Sequence, residues 1–109
     1  MAGIQRLAIA DDATGADYGD GIEAFASTGS YLISVIAANT TATDAEIYIY
    51  SVPSGSTTET EWALVAYKLP LPAYNSYETF RFGVNNGDSV YVAGSAGVRY
   101  FVQGIEQIG

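Results

Sequence analysis

The 109-residue sequence predicts an all-β domain, a β-sandwich of about seven or eight antiparallel strands of jelly-roll or related Greek-key type. Three observations carry this. Apolar residues alternate with polar ones or run in short blocks. Gly, Asn, Asp, Ser or Pro interrupts them at roughly ten-residue intervals, and no stretch has the length and period of a helix. Hydrophobic residues make up 49% of the chain and charged residues 15%, enough apolar material for one core at a length that leaves no room for a second. Residues 1–109 are therefore read as one domain, with 1–30 a candidate N-terminal arm or assembly segment.

The first apolar block is Ile4 to Ile9. The acidic, Gly-rich stretch Asp11 to Gly21 comes next as a loop, because Gly and Asp favour turns, and a short strand is expected at Ile22 to Ala26. Tyr31 to Ala38 is almost wholly apolar, as a central strand covered on both faces should be. Asn39 to Asp44 reads as a polar turn. In Ala45 to Val52, Ile47 and Ile49 face one side and Glu46, Tyr48 and Tyr50 the other, which predicts an outward tyrosine stripe.

Pro53 to Thr58 ends that strand. Trp62 to Leu69 forms the next, and Pro70-Leu71-Pro72 places it at a sheet edge, since proline donates no ladder hydrogen bond. Tyr77 to Val84 alternates, with Phe80, Phe82 and Val84 on one face and Thr79 and Arg81 on the other. Asn85-Asn86-Gly87-Asp88 then predicts a hairpin. Ser89 to Ala93 and Val98 to Ile105 read as a final pair, reversed by Gly94-Ser95-Ala96-Gly97.

Composition removes several functions. The net charge is -8 and the cations are Arg6, Lys68, Arg81 and Arg99, so no basic patch exists to neutralise phosphates or anionic lipid; neither nucleic acid nor membrane is an expected partner. The opening residues lack the basic-then-apolar order of a secretory signal, so the chain is expected to be made and held in a cytosol until it assembles. Asn39-Thr40-Thr41 is formally a glycosylation acceptor, which without secretion carries no function.

With no His and no Cys, the usual general base and thiol nucleophile are missing, and no enzyme is expected. Glu59 and Glu61 would share a strand face, a geometry that can raise one pKa, but a solvated pair is the simpler reading. The cluster Asp11, Asp12, Asp17, Asp20 and Glu23 offers the oxygen ligands calcium prefers without calcium-loop spacing, so it reads as a solvated loop and no metal or cofactor is expected. The residues picked as interface anchors are Tyr48, Tyr50, Trp62, Tyr67, Tyr77 and Tyr91, because Tyr and Trp bury large area at low entropic cost. The same rings, with Tyr74, would also stack on sugars. Trp62 by itself reads as core or interface.

Two runs carry a resemblance. Ile33-Ser34-Val35-Ile36-Ala37-Ala38-Asn39-Thr40-Thr41 leads into Tyr48-Ile49-Tyr50-Ser51-Val52-Pro53. Later come Tyr77-Glu78-Thr79-Phe80-Arg81-Phe82, Asn86-Gly87-Asp88-Ser89-Val90-Tyr91-Val92 and a closing aromatic strand into Gly104-Ile105-Glu106. In this order they resemble short β-sandwich structural proteins of tailed bacteriophages, most closely those of phages of marine cyanobacteria. The resemblance implies a virion component such as a capsid decoration or cement protein, or a tail or fibre module, present in several copies. Its implied partners are phage capsid or tail proteins and sister copies, with a homotrimer favoured, and it supplies no catalytic residues. The alternative it leaves is a receptor-facing or carbohydrate-binding module.

Overall fold

The computed structural model describes residues 4–11, 21–56 and 63–107, and among them there is no helix. The strands are Gln5–Asp11 (β1), Ile22–Ala26 (β2), Tyr31–Asn39 (β3), Ala45–Val52 (β4), Ala63–Leu71 (β5), Ser76–Glu78 (β6), Phe82–Val84 (β7), Ser89–Gly94 (β8) and Val98–Glu106 (β9). They form two antiparallel sheets. One runs β1-β9-β3, with β6 and β7 both pairing the far edge of β3; the other runs β2-β8-β4-β5. Taking β6 and β7 as one strand position, the two four-position sheets have the order of a jelly roll, the eight-strand double Greek key. The N-terminal segment thus contributes β1 to one sheet and β2 to the other.

Side chains two apart on a strand share a face, so each sheet turns one apolar row inward. Ile33, Val35 and Ala37 of β3 and Val98, Tyr100 and Val102 of β9 meet Ile47 and Ile49 of β4 and Val90 and Val92 of β8, all buried. Each aliphatic side chain so removed from water contributes about 1.5–3 kcal/mol before entropy is counted. β3 is an inner strand of its sheet, as its apolar run predicts, but only one face is covered: Ile33, Val35 and Ala37 pack against the other sheet, while Leu32 and Ile36 on the outer face stay partly exposed. β5, with Pro70, lies at a sheet edge as expected.

Two sequence expectations about connections are corrected. The Asn85–Asp88 turn and the Gly94–Gly97 reversal are not hairpins: β7 and β9 belong to one sheet and β8 to the other, so both turns carry the chain across the sandwich. Turn chemistry fixes a local reversal but not which sheet receives the next strand. The first turn docks on its surroundings instead. Ser27 N donates to Asp88 O at 2.8 Å and Gly87 N to Ser27 O at 2.9 Å, while the Asp88 carboxylate accepts from Asn85 N and Ser54 N, both at 2.8 Å.

The segment read as one strand, Tyr77 to Val84, is interrupted. Between the pairs Ile36–Glu78 and Ile33–Phe82, β3 supplies two residues and the opposing chain three, so one residue is extra and the inward parity shifts. Tyr77 and Thr79 point inward before the bulge, Phe82 and Val84 after it, and Phe80 is thrown out at 62% exposure rather than sharing a face with Phe82. Thr79 holds the break closed. Its amide donates to Val35 O at 2.9 Å and its hydroxyl accepts from Val35 N at 3.0 Å, standing in for a ladder carbonyl.

Tyr100 ties the two sheets together. Its hydroxyl donates to Ala93 O on β8 at 2.7 Å within the core, and burial pushes its pKa above the ordinary tyrosine value. The native state therefore keeps the proton where the unfolded chain, ionising near pH 10, gives it up, so this group's contribution is complete below about pH 10 and falls as pH rises further. Tyr100→Phe is expected to cost ~1 kcal/mol at pH 7. Above about pH 10 the native protein should lose up to ~1.4 kcal/mol per pH unit through this residue, a slope absent from the variant in urea titrations.

Candidate functional site

The outward tyrosine stripe exists, but it is not exposed. Tyr48 and Tyr50 face away from Ile47 and Ile49, yet they are 1% and 0% exposed in a second apolar cluster with Val52 and Ala93, flanked by Tyr91. Tyr67 packs edge-on against Tyr48 with ring centroids 5.4 Å apart, Tyr48 and Tyr50 stack at 6.4 Å, and the Tyr48 hydroxyl donates to Glu46 Oε1 at 3.2 Å. Four of the six predicted anchors are thus brought together on one sheet, with Tyr67 left 44% exposed and the pair at the centre closed to solvent. Alternation reveals which face a ring takes, not whether that face is covered. Tyr77 is elsewhere: it pairs with Ala37 on the other sheet and packs against the inter-sheet core.

Trp62, Glu59 and Glu61 lie outside the described residues, as do Asp12, Asp17 and Asp20. The two described members of the acidic cluster lie on strands of different sheets and have different partners. Asp11 on β1 pairs with Arg99, Nε to Oδ1 2.6 Å, while Glu23 on β2 accepts from the Ser89 hydroxyl at 2.8 Å. Among the described residues, no three potential metal-ligating side chains gather.

The broader open surface is the outer face of the β1-β9-β3 sheet, which sequence reasoning did not single out. Its rows are set by the register. Ile9, Phe101 and Ile36 form one apolar row ending at Glu78; Leu32 pairs with Ile105; and Arg6, Gln103 and Ser34 form a polar row between them. Ile4 and Ile9 are about half exposed, and Leu32, Ile36, Phe101 and Ile105 are partly so. At the centre Gln103 Nε2 donates to Glu78 Oε2 at 3.1 Å and to Ser34 Oγ at 3.3 Å, and Ser34 Oγ donates to Glu78 Oε2 at 3.0 Å. This fixes the carboxylate flat against the sheet.

Three of the chain's four cations belong to this face. Arg6 lies in the polar row, Arg99 pairs with Asp11 at one end, and Arg81 lines a shallow dent with Ile4, Leu32, Gln103 and Ile105. The dent holds about 10 Å³, against the roughly 300–1,000 Å³ of pockets that enclose small ligands. The face suits a broad contact. The signal was legible in β9, where Val98, Tyr100 and Val102 occupy one parity and Phe101 and Ile105 the other, so both sides of that strand are apolar.

All four sheet edges are broken against strand addition. β1 shifts register between Arg6 and Ala8, and β2 between Glu23 and Phe25. β5 is irregular against Ile47 to Tyr50, with Lys68 at φ 49° and Pro70 inside the strand, and β6 and β7 are split by the bulge. Irregular, charged and proline-bearing edges block pairing with another chain. Docking is left to the faces.

Comparison with known proteins returned no matching family model, no similar curated protein and no similar solved structure.

Proposed function

We propose that this chain is a non-enzymatic structural component of a tailed-phage particle, most simply a capsid decoration or cement protein, that attaches through the outer face of the β1-β9-β3 sheet. The observation that carries the reading is the composition of that face: aliphatic and aromatic rows with Arg6, Arg81 and Arg99, on a chain whose net charge is -8. Arginine beside apolar and aromatic side chains is the mixture enriched at protein interfaces, and the remaining acidic surface keeps unassembled copies soluble. The resemblance of the segments from Tyr31 onward to phage structural proteins is what supports a phage particle as the place of attachment.

Burial of this face against the shell or a sister copy provides the affinity, and the arginines set orientation and encounter rate. Arg6 and Arg81 make a shell surface that presents carboxylates a suitable complement.

The test is reconstitution. Protein added to particles from a phage lacking this gene should fill a fixed number of sites, and occupancy should fall as salt rises. The double variant R6E/R81E should bind roughly a hundredfold more weakly, ~2.7 kcal/mol, with an unchanged melting temperature. Absence of the chain from purified virions, or undiminished binding of the charge-reversed variant, would sink the proposal.

A further inference from the structure

The turn that carries the chain from β7 to β8 contains a reactive pair of residues that plays no part in the attachment face. Asp88 N donates to Asn85 O at 3.0 Å and φ is 91° at Gly87, so residues 85–88 form a β-turn with glycine at its third position. The fold requires glycine there on two grounds. That backbone angle disfavours any side chain, and a Cβ would stand 2.7 Å from Ser54 Oγ and 3.1 Å from Ser54 Cβ. The requirement leaves Asn86, which is exposed, directly before a residue with no side chain to shield its amide.

Asparagine followed by glycine is the pairing most open to ring closure. Attack by Gly87 N on Asn86 Cγ forms the N–Cγ bond and breaks the Cγ–Nδ2 bond; the amide proton passes to water and Nδ2 leaves as ammonia. Water then opens the cyclic imide at either carbonyl. Cleavage between Gly87 N and Cγ gives an ordinary aspartate at position 86. Cleavage between Gly87 N and the backbone carbonyl carbon leaves the chain running through Cγ, an isoaspartate with an extra backbone carbon. Either way a side-chain amide and water become a carboxylate and ammonium, with no change of oxidation state.

In the folded chain the attacking nitrogen is engaged. Gly87 N donates to Ser27 O at 2.9 Å and Ser27 N to Asp88 O at 2.8 Å, two bonds that continue the β2–β8 ladder beyond the Ala26–Ser89 pair. The Asp88 carboxylate braces the same turn by accepting from Asn85 N and Ser54 N, both at 2.8 Å. An amide held as a donor gives up its proton slowly and cannot swing toward Cγ.

We propose that Asn86 is a self-modification site guarded by the Gly87–Ser27 hydrogen bond. The closed turn is protected, and conversion proceeds through openings of this end of the sandwich. Once isoaspartate forms, the extra carbon displaces Gly87 N from Ser27 O, so the end of edge strand β2 loses its latch. The site is independent of what the β1-β9-β3 face binds, and its test uses isolated protein.

Purified protein is held in mildly alkaline buffer with and without concentrated urea, and position 86 is followed by intact mass and peptide mapping. Conversion should be at least about tenfold slower in the folded protein, because only opened turns react. Asp88→Ala, shown to be folded by its melting transition, lacks the braces and should narrow that ratio severalfold. In aged protein the Ser27 amide should exchange with deuterium severalfold faster than in fresh protein, and ageing of Asn86→Ser, which has no side-chain carbonyl to attack, should leave that exchange unchanged. Equal rates in buffer and urea, a folded Asp88→Ala with the parent's ratio, or isoaspartate at position 86 without faster Ser27 exchange would overturn the proposal.

Discussion

Asn39→Asp is expected to destabilise the protein by on the order of 3 kcal/mol at pH 7, a large part of the ~5–15 kcal/mol that holds a domain of this size folded. Asn39 is buried at the end of β3 and every polar atom of its side chain is engaged. Nδ2 donates to Thr43 O at 2.8 Å, Leu71 O at 3.1 Å and Pro72 O at 3.2 Å; Oδ1 accepts from Thr41 N at 3.0 Å and Thr41 Oγ1 at 2.7 Å. The amide thereby joins the β3–β4 loop to the end of β5. Aspartate keeps the shape and the two bonds from Thr41, but it aims an oxygen at three carbonyl oxygens.

That repulsion raises the carboxyl's pKa in the folded state, so the variant gains stability relative to the parent as pH is lowered toward about 4, where the protonated acid donates one bond. Urea midpoints at pH 7 and pH 4 measure both the loss and its partial recovery. A variant as stable as the parent at pH 7 would mean that the clamp contributes little.

Gly104→Val should cost about 3 kcal/mol or abolish folding, the upper end of what an overfilled core site does. A Cβ at Gly104 would stand 2.3 Å from Leu32 O, 2.8 Å from Ile33 Cγ2 and 3.0 Å from Ile33 Cα, and two of these atoms belong to the backbone of the neighbouring strand. β3 and β9 pair over nine residues, so the clash cannot be relieved at one place. Gly55→Ala is the comparison. It has φ 79° but nothing within 4 Å of a new Cβ, so conformational strain alone, ~1 kcal/mol, is expected in thermal denaturation.

These two residues also explain why some of the fold was legible in the chain and some was not. Asn39-Thr40-Thr41 and Gly104-Ile105-Glu106 stand out as motifs: Asn39 proves to be a buried hydrogen-bonding clamp between the β3–β4 loop and the end of β5, and Gly104 a place where strands meet too closely for a side chain. Strand positions and inward faces could be read from alternation, because period-two patterning and burial are one constraint. The bulge at Thr79 to Arg81 was hidden, since one extra residue leaves the local pattern intact and changes only the parity of Phe82 and Val84 beyond it. The crossings after β7 and β8 were hidden for a different reason: Asn86-Gly87 and Gly94 to Gly97 encode reversal without naming a partner. Of the site, the tyrosines were legible as a group and their burial was not. The apolar part of the outer face was legible in Phe101 and Ile105 of β9, whereas its polar row emerged only when the register set Arg6, Gln103 and Ser34 side by side.

Hydroxyl-radical footprinting of particle-bound against free protein tests the central claim most directly. Oxidation at Ile9, Leu32, Phe101 and Ile105 should drop severalfold on binding, while Tyr67 on the opposite sheet keeps its reactivity. Protection of Tyr67 and Tyr91 with Ile9 and Phe101 still reactive would place the contact on the tyrosine sheet and contradict the account.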